Sequence, residues 1–134
     1  MVVLSKAYKS VMDKAVKDIK QYDLSPSEFG ILEVLYTKGS IPLQQIGDKI
    51  LITSGTMTYN IDKLEKKQLL RRIPGQEDRR MVYAELTDKG KEFIQHIMPR
   101  HAAHIHSMMQ SLSDHQKNEA IALLKLLGKG VDEA

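Results

Sequence analysis

The 134-residue chain contains no cysteine, which removes disulfides, thiolate metal sites, cysteine nucleophiles and thiol-based redox sensing in one step. It has no run of about 18 apolar residues, so no membrane span is expected. Its first residues, Met1-Val2-Val3-Leu4, soon give way to Lys6 and Lys9, unlike the apolar stretch of a secretory signal. A cytoplasmic location with no membrane partner is the expectation. A glycine-rich phosphate loop, a nucleophile elbow and a His-Glu-x-x-His pattern are missing as well. Ser113-Asp114-His115 reads as a helix start rather than a catalytic array, because neighbours on a helix point about 100° apart. Catalysis is therefore not expected. No internal repeat, low-complexity tract or interdomain linker interrupts the chain, whose length suits one domain with a substantial core but no deep cleft.

What is present is a local basic excess. The chain carries 20 Lys and Arg against 17 Asp and Glu, a formal charge of +3. Between Thr53 and Lys91 nine cations (Lys63, Lys66, Lys67, Arg71, Arg72, Arg79, Arg80, Lys89, Lys91) face six acids, so this segment alone accounts for the +3 and the remainder balances at eleven against eleven. Lys and Arg that displace condensed counterions supply most of the sequence-independent affinity for a nucleic-acid duplex. Lys63 alone reads as part of a solvated helix face.

Periodicity gives mostly helix. Leu4, Ala7, Tyr8, Val11, Met12, Ala15, Val16 and Ile19 recur at three- and four-residue spacing, with Lys6, Lys9, Asp13, Lys14, Lys17 and Lys20 opposite. Ser25-Pro26-Ser27-Glu28 opens a second helix with a capping box and a proline at its first position; it should run to about Thr37 before Gly39 stops it. Ile41 and Pro42 form a short extended connection. Leu43, Ile46 and Ile50 mark a brief helix in which Gly47 allows a close backbone approach, and Ile52-Thr53-Ser54 offers a turn and a new N-cap.

The next helix places Met57, Ile61 and Leu64 inward and Ser54, Thr56, Thr58, Tyr59 and Asn60 outward, short polar groups suited to base edges and phosphates. Two successive short helices, the second polar outside, form a helix-turn-helix pattern. Residues 70–73 and 81–86 read as antiparallel strands with Val82, Ala84 and Leu86 on one face, joined by a loop that Pro74-Gly75 opens. Arg79 and Arg80 at a hairpin tip repel each other without packing gain unless an anion or acid answers them, and Asp78 can hold one arginine extended. Thr87 is placed to cap a long helix carrying Phe93, Ile94, Ile97 and Met98, which Pro99 should kink or interrupt; Ile105, Met108, Met109 and Leu112 continue its apolar stripe. Ser113 to Gln116 cap a last helix with Ala120, Ile121, Leu123, Leu124 and Leu127 inside, ended by Gly128.

In combination, Ser54-Gly55-Thr56-Met57-Thr58, Ile61-Asp62-Lys63-Leu64-Glu65-Lys66-Lys67, Leu70, Arg72, the Glu77-Asp78-Arg79-Arg80 loop and Leu86-Thr87-Asp88-Lys89-Gly90 resemble the MarR family of bacterial transcriptional regulators over the whole chain. Two departures stand out: Gln68, where the family usually has glycine, and Tyr59, where many members carry arginine. The resemblance implies a mainly α chain with a small β-hairpin wing (α+β), a winged helix-turn-helix whose terminal helices form a dimerisation lobe. Residues 1–24 and 93–134 would be the dimerisation helices and 25–92 the winged-helix DNA-binding lobe.

It also implies a homodimeric repressor of a pseudo-palindromic operator in double-stranded DNA. The DNA-binding residues would be Ser54, Gly55, Thr56, Thr58, Tyr59, Asn60, Arg72, Asp78, Arg79 and Arg80, with Asp78 bracing Arg80 into the minor groove. A small aromatic or phenolic effector would bind where the first, second and fifth helices meet, with Tyr8, Met12, Tyr36 and Met98 as candidate lining residues, although core packing explains each equally well.

The histidines suggest the alternative of a metal-responsive, zinc-type sensor or a protein-interaction module on the same scaffold. His101 and His104, at i and i+3, share a helix face, but no His or acid at i+4 from His101 completes a chelate and His106 points elsewhere. Surface or interface histidines are the simpler reading, with no cofactor expected, and Met98, Met108 and Met109 read as adaptable core or dimer-interface filler.

Overall fold

A computed structural model describes residues 1–50 and 54–133, the side chains of Ser54 and Gly55 lying outside the described residues. The elements run α1 (Val2–Lys20), α2 (Pro26–Lys38), β1 (Ile41–Pro42), α3 (Leu43–Ile50), α4 (Ser54–Lys66), β2 (Leu70–Pro74), β3 (Val82–Leu86), α5 (Asp88–Met108) and α6 (Asp114–Asp132). The turn expected at Ile52-Thr53-Ser54 falls outside the described residues.

Local chemistry sets the helix starts. Ser25 accepts from the Glu28 N–H at 3.1 Å while Glu28 accepts from the Ser25 N–H at 3.0 Å, with Pro26 at the first helical position. Ser113 and Gln116 form the same reciprocal box before α6. Each such cap satisfies donors that the first helical turn leaves open. Ile41 and Pro42 are more than a connection: paired with Ala84 and Tyr83, they add a third strand, giving the antiparallel order β1-β3-β2. The hairpin register runs from Leu70 opposite Leu86 to Pro74 opposite Val82, so Met81 belongs to the loop rather than to the strand.

The core sits between α2, α3, α4, the sheet and the first half of α5. Ile31, Leu32, Ile46, Ile61, Leu64 and Leu70 fill it with almost no exposure, joined by Ala84, Ile94 and Ile97. The junction of hairpin and α5 explains the Leu-Thr-x-x-Gly signature. Leu86 is buried; the Thr87 N–H donates to the Leu69 carbonyl, and its hydroxyl donates to the Gln68 carbonyl at 2.6 Å while accepting the Gly90 N–H at 3.0 Å. Gly90 presses on Leu69 so closely that any Cβ would run into the Leu69 carbonyl, which only glycine avoids.

Gln68 ends α4. The Gln68 N–H donates to Glu65 and the Leu69 N–H to Leu64, the paired bonds of a helix stop whose central residue is left-handed. Gln68 adopts φ 63° there, a conformation that disfavours a Cβ. Gln68→Gly is expected to stabilise the fold by about 0.5–1 kcal/mol, read as a higher denaturation midpoint at unchanged slope; a lower midpoint would refute the strain.

Three expectations about the C-terminal half are corrected. Pro99 does not interrupt α5, which continues from Asp88 to Met108: packing of α5 against α1, α2 and β3 outweighs the lost donor. Gly128 does not end α6, which continues to Asp132, since a helical glycine costs only about 1 kcal/mol. Nor are the α6 leucines inside. Ile121, Leu123, Leu124 and Leu127 are each more than half exposed in the single chain, and α6 buries no residue. No helix among the described residues is long and apolar enough to cross a membrane.

Candidate nucleic-acid interface

The second helix of the helix-turn-helix, α4, buries Met57, Asn60, Ile61 and Leu64 and exposes Thr56, Thr58, Tyr59 and Asp62. Asn60 therefore leaves the proposed reading surface. It is 4% exposed, and its Nδ2 donates to the Thr56 carbonyl at 2.8 Å, one turn back. A buried amide without a partner would be costly, and the helix's own carbonyl supplies one. Tyr59 stands in solvent with the Lys63 ammonium 5.4 Å from its ring centroid, an arrangement favoured by the negative face of the ring.

Arg72, expected among the DNA-binding residues, is engaged as a clamp. From β2 its guanidinium reaches back to α4, donating to Asp62 Oδ1 at 2.6 Å and Glu65 Oε1 at 2.7 Å, while its backbone N–H meets Glu65 Oε2 at 3.3 Å. Partial burial works against the charged arginine, but the two carboxylates outweigh it and raise its pKa above the ordinary value. The clamp ties α4 to the sheet and sets a positive charge against two exposed acids that would otherwise repel phosphate. Arg71 is similarly occupied across the hairpin by Glu85 at 2.6 Å.

A second anchor holds the same C-terminal part of α4, through Lys63 and the Lys67 that follows the helix. Glu28, 1% exposed, accepts from Lys67 at 2.9 Å and lies 3.6 Å from Lys63, and Lys67 also donates to the Asp23 carbonyl. Burial alone would raise the Glu28 pKa; the Lys67 hydrogen bond, the Ser25 N–H and the two ammonium charges overcome it and hold the carboxyl below its ordinary range. The capping position of Glu28 was visible in the sequence. Its grip on residues 35 and 39 positions later was not.

The wing is a tight loop. Gly75 N–H donates to the Met81 carbonyl and Met81 N–H to the Asp78 carbonyl; a Cβ on Gly75 would stand 2.5 Å from that Asp78 oxygen. Asp78 receives three bonds from Arg80: backbone N–H at 3.0 Å, Nε at 3.1 Å and a terminal nitrogen at 3.3 Å. Those bonds, the side-chain ones foremost, lower the Asp78 pKa. The Arg80 side chain is nevertheless 93% exposed, so the cation is oriented and open to solvent. Arg79 is exposed beside it.

The histidine pair does not hold together as a metal site. His101 Nδ1 lies 2.7 Å from Asp18 Oδ2, whose other oxygen accepts from Gln21, and its ring packs 4.8 Å from that of Phe29. His104 instead lines a surface cleft of about 390 Å³ with Lys14, Lys17, Asp18 and Gln21. No group of three or more metal-ligating side chains occurs among the described residues. Of the effector candidates, Tyr8 and Tyr36 are exposed, Met12 is half-buried and Met98 packs against the core. They lie on α1, α2 and α5, which pack on one another.

The MarR family model matches residues 24–82, from the end of the α1–α2 connection through the wing. The HTH-type transcriptional regulator MhqR of Bacillus subtilis is 47% identical over 127 residues, spanning 95% of this chain and 88% of the relative. Two solved structures share the fold at lower identity. A MarR mutant from E. coli complexed with operator DNA superposes with a TM-score of 0.82 at 20% identity, covering 94% of each chain. BpsR of Bordetella bronchiseptica, whose DNA binding is regulated by 6-hydroxynicotinic acid, gives 0.84 at 22% identity, covering 94% of this chain and 90% of that one. With the winged fold, the polar α4 and this identity over nearly its full length, the chain belongs to the MarR family of DNA-binding transcriptional regulators, which are not enzymes.

Proposed function

We propose that the protein is a homodimeric repressor that occupies a pseudo-palindromic operator and leaves it when a small aromatic or phenolic effector binds. The observation that carries this reading is the wing tip, where Asp78 orders Arg80 without burying it. An ordered arginine at a hairpin tip suits a narrow minor groove, where the negative potential is strongest. Ser54, Gly55, Thr56, Thr58 and Tyr59 on α4 then face the major groove, and Arg79 adds charge nearby.

Residues 1–24 and 93–134 form the dimerisation lobe in this reading, because their exposed apolar side chains need a second copy to cover them. Twofold symmetry sets the two α4 helices in major grooves about one turn, ~10 bp, apart. An effector held between α1, α2 and α5 releases DNA only by favouring an α4 spacing that misses the two grooves. The aromatic acid that regulates BpsR is consistent with that effector class.

Alanine at Thr56 and Thr58 tests the α4 assignment. Removing each base contact should cost roughly 1–3 kcal/mol and relax preference at its own operator position, measured by anisotropy on duplexes varied one base pair at a time. Affinity and preference both unchanged in the double variant would end the assignment of α4 to the groove.

A further inference from the structure

Two stripes can be traced on the exposed surface of α4, beside the exposed Thr58 and Lys66. Asp62 and Glu65 form one, closed by Arg72. Thr56, Tyr59 and Lys63 form the other at three- and four-residue spacing, which stacks side chains on one face. Tyr59 is 63% exposed on it. Lys63 touches the Tyr59 ring on one side and Glu28 on the other, and Glu28 is buried and fixed by Ser25 and Lys67. A buried carboxylate is thus linked, through one lysine, to an aromatic ring held in solvent.

We propose that Tyr59 determines operator specificity by contacting a thymine methyl in the major groove, and that Lys63 is a positioning residue that sets the pose of the ring instead of neutralising a phosphate. The proposal rests on the assignment of α4 to the groove and goes beyond it. Thymine is the base that offers an apolar group on the major-groove edge, and apolar side-chain surface recognises it. The Lys63 ammonium occupies one face of the ring, leaving its edge and opposite face for the methyl. A Lys63 that served a phosphate would have to leave the buried Glu28 carboxylate with one cation fewer, a cost a freely solvated lysine does not meet. A lysine stem is otherwise flexible, and anchoring at both the carboxylate and the ring removes that freedom before DNA arrives.

The experiment is selection from a random duplex library by the full chain and by Tyr59→Phe, Tyr59→Ala, Lys63→Met and Lys63→Arg, followed by titration of the selected duplex with deoxyuridine replacing thymine. The wild type and Tyr59→Phe should select thymine at one position in each half-site, and Tyr59→Ala should not. Removing the methyl there should weaken wild-type binding roughly three- to fivefold per half-site, the value of about one buried carbon, and leave Tyr59→Ala unaffected. Lys63→Met should relax preference at that same position at an unchanged salt slope, and Lys63→Arg, which can still pair with Glu28 and cover the ring, should restore it.

Three results would overturn the inference. Tyr59→Ala could select the wild-type sequence; Tyr59→Phe could lose as much as Tyr59→Ala, placing the contact on the hydroxyl; or Lys63→Met could keep the preference while flattening the salt slope by about one per protomer, the mark of a phosphate no longer neutralised. A wild-type chain that enriches no sequence would refute the groove assignment itself, which separates that failure from the others.

Discussion

Leu124→Glu combined with Leu127→Glu is expected to convert the protein to a monomer and to lower duplex affinity by two orders of magnitude or more. Ile121, Leu123, Leu124, Leu126, Leu127 and Val131 are all more than half exposed on α6, and Met1, Val2, Val3 and Leu4 stand exposed at the start of α1. A helix with apolar residues around most of its girth is stable only when something covers it. Burial of one leucine is worth roughly 1.5–3 kcal/mol, and an isologous interface counts every residue twice. Two substitutions thus remove four such contributions and would also place four carboxylates in an apolar contact.

The loss of affinity follows from geometry, since a monomer meets one half-site and forgoes the effective concentration that tethering gives the second. Light scattering gives the mass, and far-ultraviolet dichroism checks that helix persists. The core of the winged lobe lies elsewhere, in α2 to α5 and the sheet, so the variant should remain folded there. An unchanged dimer mass in the double variant would show that α6 is not the interface.

The same helix shows why some features are legible in the sequence and others are not. Caps are readable because their partners sit three residues away: Ser25 with Glu28, Thr87 with Gly90, Ser113 with Gln116. The left-handed stop at Gln68 has no glycine to mark it and is legible only through the resemblance, as a position where the family usually has one. Polar type suggests an outward direction for Asn60, whereas one step of 100° turns it to the core side, where a backbone carbonyl satisfies it. Composition counts Arg72 and Lys67 as available cations, but their acids stand 7 to 44 positions away and no periodicity shows such pairs. His101 pairs with His104 in sequence and with Asp18 in space, across 83 positions. For α6 the apolar pattern is legible and its packing is not: Ile121, Leu123, Leu124 and Leu127 stand exposed in the single chain, since the pattern says that a face is apolar and not what covers it.

Arg80→Ala should weaken operator binding on the order of a hundredfold, Lys63→Ala much less, and Asp78→Ala should reproduce part of the Arg80 effect. Each wing contributes one arginine, so a dimer forgoes two interactions, each worth roughly 1–2 kcal/mol if it resembles a directed base or groove contact. The decisive quantity is the sign at Asp78. Removing an acid close to a polyanion strengthens binding if the wing acts as a patch of charge, because simple repulsion is relieved. It weakens binding if the wing acts as a structured probe, because Arg80 loses both the backbone and the side-chain bonds that hold it extended and must be ordered anew on the DNA, at a cost in rotamer freedom of about 1–2 kcal/mol. Two oxygens of Asp78 hold three donors of Arg80, while the side chain itself remains open to solvent, and this geometry predicts the second outcome. Titrations of one duplex at fixed salt distinguish the two: tighter binding by Asp78→Ala would reduce the wing to a basic patch, and weaker binding that Asp78→Glu or Asp78→Asn fails to restore in full would tie the effect to the length and charge of the brace.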